Sequence, residues 1–207
     1  MSALGFTHVW QAGRSTRTLL LLHGTGGDEH DLVPLAAMLD PDAAVLSPRG
    51  PVMEHGMPRF FRRFAEGVFD LDDVARRATE LRAFVDGASV AYGFDRARVT
   101  AVGFSNGANI AAAMLLQEGA VLEGAILFRA MNTITPPAPP SLQGVRVFLR
   151  PGQTDPIIRP DDAVTLSQRL AGAGADVTLE WSPGGHNLTA DDVRSAAAWL
   201  RGEGTLR

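Results

Sequence analysis

Ser105, Asp155 and His186 are the residues of this chain whose types and spacing suit covalent chemistry. A serine hydroxyl is a poor nucleophile until an imidazole takes its proton, and the imidazole works best when a carboxylate holds it in one tautomer. Ser105 stands in Gly103-Phe104-Ser105-Asn106-Gly107, where an apolar run stops and an alanine-rich stretch begins. This Gly-x-Ser-x-Gly pattern reads as a strand, a sharp turn and a helix, with the serine on strained backbone and flanking glycines keeping strand and helix from clashing. Alone, it fits equally well an ordinary turn with a serine N-cap. Asp155 lies in Gly152-Gln153-Thr154-Asp155-Pro156, and His186 closes Pro183-Gly184-Gly185-His186. A fourth stretch, His23-Gly24-Thr25-Gly26-Gly27, offers free backbone N–H groups that can line an anion hole. Together these parts would carry out attack of a serine on an acyl carbon.

The elements that must position them can be read along the chain. Thr7 to Gln11 is a weak strand, and Thr18 to Leu22 is a continuous apolar run of the kind buried on both faces of a sheet. Asp31 is placed to cap a short helix reaching Leu39, with Pro34 in its first turn, and Ala43 to Ser47 is the next strand. Pro48 to Asp70 shows no clean period and reads as a long functional loop. Leu71, Val74, Ala78, Leu81, Val85 and Ala88 form one helical stripe that stops at Tyr92-Gly93. Strand Val99 to Gly103, a helix from Ser105 to Glu118 and strand Gly124 to Phe128 follow. The proline-rich run from Thr135 to Pro140 cannot be helical, so one crossover helix is missing before strand Val145 to Leu149. A helix opening at Pro160, strand Val177 to Trp181 and a helix from Thr189 to Arg201 close the pattern. Strands alternating with helices predict a mostly parallel sheet with helices on both faces. Ligands of such sheets bind beyond the carboxyl ends of the strands, and each of the four chemical stretches directly follows a strand.

Each member also has a plain alternative. Asp155 before a proline suits a turn, and a histidine in a glycine-rich loop suits solvent; the agreement of four loops favours the joint reading. Were Asp155 to point away from His186, Asp161 and Asp162 would be the next carboxylates to consider. His8 and His55 lie outside these loops, His30 lies near the cleft, and His23 is read as shaping the backbone.

Composition narrows the function classes. At 207 residues, 45% hydrophobic and 20% charged, the chain is expected to form one domain over 1–207. All 19 cationic residues are arginine, the net charge is −4 and no basic run forms, which argues against nucleic acid as a partner. The absence of cysteine excludes disulfides, thiolate metal sites and a cysteine nucleophile, and the histidines lack metal-ligand spacing. No run approaches a membrane span, and the segment from Met1 to His8 has neither the basic region nor the apolar core of a leader, so a cytoplasmic location is expected.

Leu22-His-Gly-Thr-Gly-Gly-Asp-Glu29, Gly103-Phe-Ser-Asn-Gly-Ala108, Gly152-Gln-Thr-Asp-Pro156 and Gly184-Gly-His186 resemble the bacterial phospholipase/carboxylesterase family. These are small α/β-hydrolases related to acyl-protein thioesterases. The resemblance implies an α/β-hydrolase fold with about seven mostly parallel strands and no separate cap domain. It implies Ser105, Asp155 and His186 as the triad, the backbone N–H groups of Thr25 and Asn106 as the oxyanion hole, and no cofactor. The segment from Arg59 to Phe69 resembles a branch sometimes encoded with enzymes of quinone and ring-cleavage metabolism. Acyl-protein thioesterases usually carry glutamine where this chain has Asn106, which weighs against action on acylated proteins.

The expected function is therefore a serine carboxylesterase acting on small to medium acyl or aryl esters or thioesters, with a small-molecule substrate. Homodimerisation is compatible with the sequence. The pocket is expected to be walled by Phe60, Phe61 and Met131, because the long segment leaves the carboxyl end of a strand and carries adjacent aromatics. One rival is a hydrolase of lactones or aromatic esters resembling dienelactone hydrolases, which normally use cysteine; another is an acyl-protein thioesterase or lysophospholipase. A non-catalytic binding protein on the same fold would be expected to have lost a triad position.

Overall fold

The computed structural model describes residues 4–203, so the leader reading at residues 1–3 lies outside it. In chain order the elements are β1 (His8–Gln11), β2 (Thr18–Leu22), α1 (Val33–Leu39) and β3 (Ala44–Pro48). Two short hairpins follow, β4 (Val52–Glu54) with β5 (Met57–Arg59) and β6 (Arg63–Ala65) with β7 (Val68–Phe69). Then come α2 (Leu71–Tyr92), β8 (Val99–Phe104), α3 (Asn106–Glu118), β9 (Gly124–Phe128), β10 (Arg146–Arg150), α4 (Pro160–Gly172), β11 (Asp176–Leu179) and α5 (Ala190–Leu200). The central sheet has seven strands in the order β1-β3-β2-β8-β9-β10-β11. All its pairs are parallel except β1 with β3. This is the α/β-hydrolase arrangement, with no separate cap among the described residues. No described helix is long and apolar enough to cross a membrane.

Period-two alternation explains why the strands read as unbroken apolar runs. In β2, Leu20 and Leu22 face one core while Leu19 and Leu21 face the other, and all four are fully buried. The first core is covered by α2, α3 and α4, through residues such as Val74, Ile110 and Leu166. The second is covered by α1 and α5, through Leu39 and Val193 among others. Helix α2 opens where Asp70 accepts from Asp73 N at 3.1 Å and closes at Gly93 with φ 74°, a conformation glycine adopts without strain.

Two expectations are corrected. The Pro48 to Asp70 segment is not one irregular loop: it holds both hairpins, whose strands of two or three residues are too short to show a period. The first turns through His55 and Gly56, at φ 49° and 80°, the left-handed pair a tight hairpin requires. Asp31 does not cap α1; Leu32 takes that position with no side-chain bond, while Asp28 accepts from His30 N at 2.8 Å in the preceding turn.

The turn at Ser105 depends on close backbone approach. A Cβ on Gly107 would lie 1.9 Å from Leu22 O, and one on Gly103 would lie 2.6 Å from Ala108 Cα. Gly107→Ala is accordingly expected to cost about 3 kcal/mol of stability through overpacking. A lowered urea midpoint is the measurement, and an unchanged one would show that β2 and α3 part freely.

Candidate active site

Strand β8 delivers Ser105 to the carboxyl edge of the sheet at φ 52° and ψ −114°, one of three described non-glycine residues with positive φ. The strain is held by packing and by two backbone bonds, Ser105 N to Phe128 O and Asn109 N to Ser105 O, each 2.9 Å. The turn leaves the hydroxyl free to face His186, whose Nε2 lies 3.1 Å from Ser105 Oγ. His186 Nδ1 lies 2.8 Å from Asp155 Oδ2. The three residues thus form a continuous hydrogen-bonded chain, in which the Ser105–His186 distance allows proton transfer and Asp155 orients the imidazole. Asp155 also shapes its turn, since its Oδ1 accepts from Ile157 N at 2.8 Å and Ile158 N at 3.1 Å. Its side chain is nearly inaccessible, and the carboxylate is aimed by bonds to both oxygens. Asp161 is exposed on the first turn of α4 and takes no part.

The loops bearing Asp155 and His186 are laced to each other. Gln153 N donates to Ser182 O at 2.8 Å, Thr154 N to Gly184 O at 3.3 Å, and Gly152 bridges Ser182 in parallel fashion. Beneath them lies Arg129, which sequence reasoning missed. It follows β9 at φ 54° with a fully buried side chain. Its Nε donates to Gly185 O at 2.7 Å and its Nη2 to Asn187 O at 3.0 Å, so one guanidinium holds the peptide carbonyls on both sides of His186. Asp192, also fully buried, neutralises it at 2.7 Å and takes a further bond of 3.0 Å from Arg150. Burial pushes the Asp192 carboxyl upward, but bonds from Arg129, Ser182, the Thr189 amide and Arg150 outweigh it and hold the group well below the usual carboxylate range.

The glycine-rich loop after β2 faces Ser105 from the other side. Thr25 N makes no hydrogen bond among the described residues, and Asn106 N is the first amide of α3, a position without an intrahelical acceptor. Both residues line one cavity of about 40 Å³ with Ser105, Asn109, Met131 and Arg59. Asn109 Oδ1 accepts from Met131 N at 2.9 Å and fixes that wall. His23 is a backbone-shaping residue, as its place before the loop implied. Gly50 N donates to its Nε2 at 2.9 Å, which leaves the proton on Nδ1, 2.7 Å from Gly24 O. Burial holds its pKa below the ordinary 6.5, against smaller effects of the Gly24 bond and nearby carboxylates.

Phe60 and Phe61 do not wall the cavity. Both are buried in the core, Phe60 against the His23 ring at 4.8 Å and Phe61 edge-on to Phe69 at 5.3 Å. Their hydrophobic area is better used inside, and the wall is made by Met131, Phe69, Ile157 and Ile158 together with polar neighbours that include Arg59 and Arg63. Among the described residues no group of three histidine, aspartate or glutamate side chains is placed to hold a metal ion.

Two measurements test this construction. Arg129→Lys keeps a cation beside Asp192 but loses the fork that holds both carbonyls. Reaction of Ser105 with a serine-directed phosphonate should slow by about 100-fold from the displaced imidazole, with the fold retained by circular dichroism. An unchanged rate would show that the loop holds itself. At His23 the folded protein binds fewer protons than the unfolded chain below about pH 6.5, so stability should fall as pH drops from 6.5 towards the lowered folded value. His23→Gln should flatten that slope in urea titrations, and an unaltered slope would place its source elsewhere.

The profile of the phospholipase/carboxylesterase family matches residues 9–202. The putative hydrolase MhqD of Bacillus subtilis (strain 168) is 45% identical over 194 residues, covering 94% of this chain and 97% of its own. The crystal structure of the Bacillus cereus carboxylesterase superposes with a TM-score of 0.95 at 45% identity, covering 98% of this chain and 97% of that one. The structure of YahD with malic acid superposes with a TM-score of 0.89 at 33% identity, covering 95% and 98%. With a family match over most of the chain and full-length relatives at this identity, the chain belongs to the phospholipase/carboxylesterase family.

Proposed function

We propose that this chain is a serine carboxylesterase that hydrolyses short acyl esters through an acyl-enzyme, with Ser105, His186 and Asp155 as its catalytic residues. The observation that carries the reading is the relay itself, 3.1 Å from Ser105 Oγ to His186 Nε2 and 2.8 Å from His186 Nδ1 to Asp155 Oδ2. As Ser105 attacks the ester carbonyl, its proton passes to His186 Nε2 and the imidazolium is stabilised by Asp155. Negative charge on the carbonyl oxygen is received by the amides of Thr25 and Asn106, which are oriented before reaction and so need no reorganisation. Collapse of the tetrahedral intermediate breaks the ester C–O bond, and His186 returns the proton to the departing alcohol. Water then attacks the acyl-enzyme by the same route, releasing the acid and regenerating Ser105.

Substrate size follows from the cavity. About 40 Å³ is room for roughly three water-sized groups, which favours short acyl chains. The relative YahD has a structure with malic acid, a small acid in keeping with that scale.

A serine-directed phosphonate should label Ser105 alone, and Ser105→Ala should lose both labelling and ester hydrolysis, with kcat falling by on the order of 10⁶. Across a series of ethyl esters, kcat/KM should decline as the acyl chain lengthens. Full activity in Ser105→Ala would overturn the mechanism, and a preference for long chains would overturn the size assignment.

A further inference from the structure

We propose that the acyl group accepted by this site carries a carboxylate, received by the guanidinium of Arg59 in the cavity wall. The inference deepens the esterase reading and rests on it. Arg59 lines the same cavity as Ser105, and its side chain is only 3% exposed. Its donors are incompletely used. Nη1 donates to Glu54 Oε2 at 2.9 Å and Nε to Phe61 O at 3.3 Å, while among the described residues Nη2 makes no hydrogen bond. The idle Nη2 is not sealed off as a buried unpartnered atom, so an arriving oxygen can reach it.

The surrounding charge leaves the position open for an anion. Arg63, also in the wall, takes both oxygens of Glu54 at 3.0 and 3.1 Å, so two guanidinium groups share one enclosed carboxylate. Glu66 also lines the cavity and acts on Arg59, but at 64% exposed and 4.0 Å from Arg63 its charge is weakened by solvent. Burial first, and then the charge of Arg63, hold the Arg59 guanidinium below the usual arginine range. An arriving carboxylate offsets both effects with a charge-assisted bond.

Backbone bonds clamp Arg59 beside the reacting centre. Pro58 O accepts from Gly26 N in the oxyanion loop at 3.0 Å, and Phe60 N donates to the side chain of Asn106, next to Ser105, at 2.8 Å. The Nδ2 of that same Asn106 is buried with no partner among the described residues, so the side chain is held by the Phe60 bond alone. The cavity contains Thr25 and Asn106 but not His186, the group that protonates the leaving alcohol, so it receives the acyl side of the ester. Its size and its cation together describe a half-ester of a short dicarboxylic acid. Hydrolysis consumes one water, breaks the ester C–O bond and releases the diacid and the alcohol; the second carboxylate is unchanged throughout.

The test compares monoethyl succinate with ethyl levulinate, a neutral ester of matching shape, by acid release at constant pH. In the wild-type protein kcat/KM should favour the half-ester by roughly ten- to a hundredfold, the effect of a hydrogen bond to a charged group. The preference should weaken at high salt. Arg59→Met should bring the ratio to about one, and Arg59→Lys should restore part of it. Should Arg59→Met fail to fold, succinate protecting Ser105 of the wild-type protein from phosphonate, where butyramide does not, gives the same reading. Hydrolysis of ethyl levulinate without preference for the half-ester, or a ratio untouched in a folded Arg59→Met, overturns the proposal alone. Failure of phosphonate to label Ser105 overturns the esterase reading and the proposal with it.

Discussion

The site depends on a buried ion pair that touches no reacting atom. Arg129 and Asp192 are both fully enclosed, and removing one partner of such a pair typically costs about 3–5 kcal/mol; Asp192 would keep Arg150, whereas Arg129 would be left as a buried charge without its carboxylate. Asp192 also receives the amide and hydroxyl of Thr189 at 2.9 Å and thereby starts α5 with a capping box. The pair therefore ties three things at one point: the end of β9, the loop that carries His186, and the first turn of the last helix. A glycine-rich loop such as Pro183-Gly184-Gly185 has no conformational preference of its own, so its geometry has to be imposed from outside. The fork of Arg129 imposes it.

Ser105 is constrained by contact in place of charge. Gly103 and Gly107 let β8, α3 and β2 meet at distances that no side chain would survive, and that crowding keeps Ser105 at its strained φ. Asp155 and His186 reach it as a preassembled pair, since the loops after β10 and β11 continue the parallel ladder through Gly152 and Ser182. A Cβ on Gly152 would stand 2.4 Å from Gly185 O, so the pair also packs too closely for any other residue there.

Much of this was legible in the chain. The apolar runs of β2, β8, β9 and β10 are buried on both faces, which is why they read unambiguously as parallel strands, and the chemical residues follow them directly. The hairpins between β3 and α2 were not legible, because strands of two or three residues carry no period and depend on pairing partners and on the His55-Gly56 turn. Phe60 and Phe61 are expected in the pocket from the segment's exit at the carboxyl end of a strand and from their aromatic type, and neither ground says which face of a non-periodic segment turns inward. Arg129 left a faint signal, an arginine directly after the apolar run Gly124–Phe128 at the carboxyl edge of the sheet. Its partner, Asp192, lies 63 residues away, and no local pattern could have joined them.

The hairpins have a standing apart from the rest of the fold. Neither belongs to the central sheet, yet Arg59 and Arg63 project from them into the wall of the cavity. Their attachment to the glycine-rich loop and the Ser105 turn runs through bonds such as Gly26 N to Pro58 O and Phe60 N to Asn106 Oδ1. The excursion between β3 and α2 can therefore change in length or charge without shifting the strand register of the central sheet.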